Sequence, residues 1–193
     1  MPIQHEYYDK HLGKNSKKST LQAALLISCT LLFFTNAQAG EEEKKFSIGL
    51  GTYGFTLTYS NQQFLDDEFG GFAINAAYAV NDNVAIKGAL FSLEYDFPGI
   101  DVESDGYDLA IVAGTGLATE GFKIYGGLGI FNDTWSSPGF YDSEFSGLQL
   151  VGGLGYNWEA ISLDLSFGVR DADEYSSSVS TAVSAGLIVS VRL

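Results

Sequence analysis

Over most of residues 46–193, hydrophobic side chains recur at every second position, the period of an extended strand with two unlike faces. The last stretch is the plainest case. Val179, Thr181, Val183, Ala185, Leu187, Val189, Val191 and Leu193 share one face, and Ser178, Ser180, Ala182, Ser184, Gly186, Ile188, Ser190 and Arg192 share the other. Before it, Ile161, Leu163, Leu165, Phe167 and Val169 alternate with Ser162, Asp164, Ser166, Gly168 and Arg170. The same rhythm runs from Phe72 to Val80, Tyr107 to Leu117, Phe122 to Ile130 and Leu148 to Tyr156. Two stretches change phase. Phe46, Ile48 and Leu50 are out of step with Phe55, Leu57 and Tyr59, which predicts a β-bulge near residues 51–54. Val84 and Ile86 are likewise out of step with Phe91, Leu93 and Tyr95. The pattern predicts eight strands.

The connections alternate in length. Asn81-Asp82-Asn83, Thr119-Glu120-Gly121 and Asn157-Trp158-Glu159 read as short turns, spaced 38 residues apart. Between them lie longer acidic stretches at 61–70, 98–106, 132–144 and 171–177. Short turns at one end and long loops at the other are the layout of a transmembrane antiparallel up-and-down β-barrel. A soluble β-sandwich also alternates, but two features weigh against it. One face is nearly free of charge over the roughly 9–11 residues a tilted strand needs to cross a bilayer. The other face is mostly Gly, Ala and Ser, too small and polar to fill an ordinary core. Aromatic residues near the strand ends suggest two interfacial girdles: Tyr78, Phe122, Tyr156 and Trp158 by the turns, and Tyr59, Tyr95, Phe97, Tyr107, Phe131 and Phe145 by the loops.

The start of the chain is of another kind. Lys10, Lys14, Lys17 and Lys18 precede an apolar run from Leu21 to Phe34, and Ala37-Gln38-Ala39 follows. This is the pattern of a secretory signal peptide, predicting a leader at 1–39 and a barrel domain at 40–193. The apolar run is too short for a membrane-spanning helix. A lipoprotein signal at Cys29 is the weaker reading, because Thr30 to Phe34 stays apolar beyond the cysteine. Of the 10 basic and 24 acidic residues, the leader takes four Lys, Glu6 and Asp9, leaving 6 and 22 and a net charge of −16. Nucleic acid is therefore an unsuitable partner, since phosphate binding needs the opposite sign. His5, His11 and Cys29 also leave with the leader, so disulfides, zinc–thiolate sites and Cys nucleophiles are excluded from the remainder.

In its alternating strands, three short turns and acidic loops, residues 40–193 resemble the small eight-stranded outer-membrane β-barrels of the OmpA and OmpX class. The resemblance lies in architecture rather than in a diagnostic motif. It implies a Gram-negative outer-membrane location, contact with outer-membrane lipid and recognition of the last strand by the barrel-assembly machinery. That strand ends in Leu193 where the class usually ends in an aromatic residue. The peptidoglycan-binding domain of OmpA itself is not implied. Outer-membrane barrels that are enzymes use His, so the resemblance together with the missing His and Cys predicts a non-enzymatic protein.

Candidate chemistry is sparse. Gly49-Leu50-Gly51-Thr52-Tyr53-Gly54 fits a dinucleotide fingerprint, but the alternation beyond it argues strand, not helix, and no cofactor is expected. Asp101 to Gly106 imitates the first half of a calcium loop, with Val112 where a bidentate Glu belongs. By parity, Lys87, Asp108, Lys123, Asp164, Arg170 and Arg192 face the lumen, with Asp164 and Arg192 placed to pair. Ionisable groups inside a membrane protein need partners, so these predict an electrostatic plug, or else the lining of a narrow path. Phe64, Phe69, Trp135, Phe140 and Tyr141 are candidate loop contacts for an unidentified surface ligand. Two functions follow as expectations: a surface protein contributing to envelope integrity or adhesion, and a narrow channel for water, ions or small solutes.

Overall fold

The computed structural model describes residues 43–61, 66–95, 102–139 and 142–193. The expected leader, Phe64, Phe97, Phe140 and Tyr141 lie outside the described residues. Eight antiparallel strands form one closed barrel: β1 (Phe46–Tyr59), β2 (Asp67–Asn81), β3 (Val84–Tyr95), β4 (Glu103–Thr115), β5 (Gly121–Ser136), β6 (Ser143–Asn157), β7 (Ile161–Arg170) and β8 (Val179–Arg192). Each strand pairs with the next in sequence, and β8 returns to pair with β1. A single turn of 3-10 helix, Ala172–Glu174, interrupts the β7–β8 connection. No helix among the described residues is long and apolar enough to cross a membrane, whereas a closed barrel crosses with strands, every interior N–H and C=O satisfied by a neighbour.

The outward side chains form a continuous apolar belt. Across the ladder, Val189 sits beside Leu50 and Leu50 beside Ile74; further round, Ile111 sits beside Leu128 and Leu128 beside Leu150. Leu50 and Leu128 are each 68% exposed, which in water would be a large unsatisfied patch and in lipid is a matched surface. Leu128→Arg should therefore cost about 2–4 kcal/mol in folding into lipid vesicles, because it places a charge at mid-belt. Thr134→Arg, outward on the same strand but six residues nearer the loops, should cost at most about 1 kcal/mol. Denaturant midpoints in vesicles read the difference, and equal losses would show that depth does not matter here.

The expected phase slips do not exist. β1 pairs with β2 without interruption from Phe46↔Tyr78 to Leu57↔Asp67, and β3 keeps one register against β4 from Val84 to Glu94. Phe55, Leu57, Phe91 and Leu93 instead point into the barrel and are buried. What changes along these strands is the filling of the lumen: small near the turns, large near the loops. The register shifts lie at the strand ends instead: one at Ala79/Asn81 of β2 opposite Val84 and Ala85, and one at Thr58/Tyr59 opposite Val179–Thr181, which turns Val179 inward, off the lipid face. Gly51 faces the lumen where a Cβ would collide with the Leu187 carbonyl of β8, so its role is close strand approach.

Three loops are shorter than polarity suggested. β2 begins at Asp67, β4 at Glu103, and the β5–β6 hairpin continues through Ser136 and Ser143. Strand pairing extends past the belt, where the outward face becomes polar with Asn132, Thr134, Glu103 and Asp105, while the inward face still has an interior to fill. Of the calcium-loop imitation, Glu103 to Gly106 is extended strand rather than loop, with Ser104 buried between the exposed Glu103 and Asp105, and Asp101 lies outside the described residues. The Gly49-x-Gly-x-x-Gly segment lies within β1, with no helix after it.

Candidate functional site

All six charged residues assigned to the lumen face inward, and they fall into three groups along the axis. Nearest the loops is Arg170 of β7. Its guanidinium contacts Asp108 of β4 at 3.1 Å and Asp133 of β5 at 3.5 Å, and donates to the hydroxyls of Tyr175 at 2.8 Å and Tyr53 at 3.1 Å. Ser104 donates to Asp133 at 2.5 Å, Tyr175 donates to Asp133 at 3.2 Å, and Tyr53 donates to Asp108. The rings of Phe55, Phe91 and Phe131 lie 4.9–5.3 Å from the Arg170 guanidinium carbon. A fully buried cation is thus met by two carboxylates, two hydroxyls and three aromatic faces.

Above this group the barrel mouth is packed with rings. Phe55 stacks on Phe69 at 4.6 Å, and tilted ring contacts continue from Phe69 to Trp135 at 4.7 Å, Trp135 to Phe145 at 5.0 Å and Phe145 to Tyr175 at 5.1 Å. Tyr59 and Tyr95 both donate to Asp67 at the rim. Tyr59, Tyr95, Phe131 and Phe145, expected in a lipid-facing girdle, therefore belong to the interior; Tyr107 alone of the described loop-side aromatics named there points outward. Phe69 and Trp135, expected as loop contacts, are 4% and 8% exposed and stacked within the mouth, so they offer no surface to a ligand. The turn-side girdle of Tyr78, Phe122, Tyr156 and Trp158 does face outward.

The second group centres on Asp164 of β7. It accepts from Lys87 of β3 at 3.0 Å, Lys123 of β5 at 2.6 Å and the Tyr125 hydroxyl at 2.5 Å. Lys87 also donates to Tyr125 and lies over its ring at 4.0 Å, and Lys123 donates to Ser162 at 2.8 Å. Tyr125 has room because its neighbour is Gly153, where a Cβ would strike the ring. Between the two groups a cavity of about 60 Å³ is lined by Asn75, Ala89, Val151, Ser166 and Ser184 among others.

Arg192, expected to pair with Asp164, does something else. It donates to the carbonyls of Ala118 and Trp158, each at 2.6 Å, and of Thr119 at 3.3 Å. Asp164 is already satisfied by two ammonium groups, and residues 116–120 fold into the barrel end within reach of Arg192. Ala118 is completely buried there, packed against Ala79, Ala85 and Val112. Three further anchors hold this segment. Asn157 donates to the carbonyls of Gly116 and Thr119 at 2.8 and 3.0 Å. Asp82 accepts from the backbone N–H of Gly116, Ala118 and Thr119 at 3.0–3.2 Å and from the Thr119 hydroxyl at 2.8 Å. The Leu117 N–H donates to the Asp82 carbonyl at 3.1 Å. The regular 38-residue spacing thus brings three turns together at one end, where the first and third hold the second.

Slight burial tends to raise the Asp82 carboxyl, and its hydrogen bonds outweigh this and hold it below the usual carboxylate range. A lowered folded-state value stabilises the fold above the unfolded value of about 4, and the benefit is lost as pH falls through the lowered value. Asp82→Asn should cost about 1 kcal/mol at pH 7 and flatten the acid limb of stability below about pH 4. Unfolding midpoints across pH 2–7 read both effects, and an unchanged acid limb would contradict the assignment.

Strand number, connectivity and the apolar belt define this fold as that of the small eight-stranded outer-membrane β-barrels. The solved structures it is similar to include neisserial surface protein A, at TM-score 0.61 and 16% identity over 77% of this chain and 97% of that one. Another is Ail, the attachment invasion locus protein of Yersinia pestis, at TM-score 0.57 and 19% identity over 78% of this chain and 99% of that one. Ail in complex with the heparin analogue sucrose octasulfate matches at TM-score 0.50, again at 19% identity. No protein-family model matches the chain, and no curated protein does.

Proposed function

We propose that this chain is an exported, non-enzymatic protein of the outer membrane, whose plugged barrel is a rigid mount for a surface-exposed loop end that serves envelope integrity or adhesion. The observation that carries this reading is the Arg170 group with its cap of stacked rings. It joins side chains from β1, β4, β5, β7 and the β7–β8 connection across the barrel, which supports a closed lumen over a conducting one. The leader pattern and apolar belt support the address. For the loop end, charge indicates the kind of partner. Glu68, Glu94, Glu103, Asp105, Glu144, Asp173 and Glu174 are exposed there, so a cationic patch on another surface fits better than a sulfated sugar of the kind bound to Ail.

The narrow-channel reading draws on the central cavity of about 60 Å³. It requires solutes to pass the ring cap. Single-channel recording of the purified protein in planar bilayers is the test, with no steady conductance expected; stable openings in the wild type would favour the channel. On intact cells, a Cys at the exposed Ser177 should react with an impermeant thiol reagent, and one at the exposed Asn83 only after the outer membrane is opened. The opposite pattern would invert the orientation and remove the surface role.

A further inference from the structure

Residues 40–193 carry six basic side chains: Lys44, Lys45, Lys87, Lys123, Arg170 and Arg192. Five of the six, all but Arg170, line a single cavity at the turn end of the barrel. In a segment with 22 acidic residues this concentration is far from even. Among the described acidic residues only Asp164 lines the same cavity, and the remaining described polar lining consists of Ser47, Asn75, Tyr125, Asn157, Ser162 and Ser190. On the rim, Glu43 lies 3.4 Å from Lys45, both about half exposed.

The donors outnumber the acceptors. Asp164 accepts on one oxygen from Lys87 and Tyr125 and on the other from Lys123. Each ammonium has three protons, and the hydrogen bonds of Lys87 and Lys123 account for two apiece. The inner group therefore holds two largely covered cations against one anion, each ammonium with a donor still open to the cavity, and a second anion there would balance the charge. Near the loops the sign reverses, with Arg170 facing both Asp108 and Asp133.

From this arrangement we infer that the turn-end cavity is a binding site for a small phosphate-type oxyanion, held by Lys123 and Lys87 from within and by Lys44 nearer the mouth, with the charge of Arg192 in the wall beside it. The cavity is about 30 Å³, room for a compact ion or the end group of a larger molecule rather than for a bulky ligand. The anion completes the charge balance that Asp164 begins. The site lies at the opposite end from the acidic loops and is independent of what they contact.

The test uses the barrel refolded in a non-ionic maltoside detergent, with folding verified by its heat-dependent gel mobility. Calorimetric titration at constant ionic strength with inorganic phosphate should give saturable binding of one ion per chain, and chloride at the same strength should not replace it. Lys123→Gln should weaken phosphate binding at least tenfold. Lys44→Gln, at a partly exposed position, should weaken it a few-fold without touching the fold. Asp164→Asn, which removes the competing internal anion, should tighten it at least tenfold. Glycerol 3-phosphate titrated alongside separates free phosphate from phosphate carried on an organic group, whichever binds more tightly. Absence of saturable binding by both in the folded wild type would overturn the site, as would affinity unchanged in both Lys123→Gln and Asp164→Asn.

Discussion

Arg170→Ala is expected to be the most damaging single substitution in the barrel. It strips the counter-charge from Asp133, which is fully buried, and from Asp108 beside it. Breaking a buried pair by removing one partner costs about 3–5 kcal/mol, most of it the penalty of the charge left behind. Three ring faces and the Tyr53 and Tyr175 hydroxyls also lose their common partner. Two variants separate charge from packing. Arg170→Lys keeps the charge but not the forked donor set, and should recover part of the loss. Arg170→Met with Asp133→Asn and Asp108→Asn removes the ionic demand together with the ion, and should be less unstable than Arg170→Ala. Urea midpoints in lipid vesicles rank the three. A wild-type midpoint for Arg170→Ala would mean that water solvates this group and that the cap is not a plug.

Asp164→Ala should come second, at about 3–5 kcal/mol, because Lys87 and Lys123 would then face each other without an anion. The same substitution distinguishes the two ends of the lumen. Single-channel recording should remain silent in Asp164→Ala, since the ring cap is intact, whereas Arg170→Ala removes the central support of that cap. Conductance in the first variant and not in the second would place the constriction at the wrong end.

Much of this was legible from spacing. Strand number, the apolar belt and the inward parity of Lys87, Asp108, Lys123, Asp164, Arg170 and Arg192 followed from a period of two. The aromatic residues misled, for a physical reason. On β1 the inward parity runs Ser47, Gly49, Gly51, Tyr53, Phe55, Leu57 and Tyr59. In the lower half the large residues face lipid, and in the upper half they face inward, so hydrophobicity changes face while the backbone does not. A count of positions keeps the register where a search for apolar residues breaks it. The same count would have placed Asp133 and Trp135 with Lys123 and Tyr125, and Asp67 and Phe69 with Ala73, because each set shares one parity. Tyr175 was beyond reach, since it sits in a connection whose path no periodicity describes. The infolding of residues 116–120 was equally hidden. It depends on carbonyls meeting Arg192 and on amides meeting Asp82, and neither leaves a mark on local sequence.

The lumen groups also dictate an order of events in assembly. Lys87 reaches its carboxylate only on β7, 77 positions later in the chain, and Tyr53 meets Arg170 across 117 positions. A growing sheet of β1 to β6 would carry Lys87, Lys123, Asp108 and Asp133 on its concave side with Asp164 and Arg170 still absent. Such a sheet cannot turn that side toward hydrocarbon without exposing bare charges to it. The nascent barrel must therefore keep its concave side wet, or screened by whatever machinery handles it, until the seventh strand arrives. Closure by β7 and β8 is then the step that pairs the charges on the concave side.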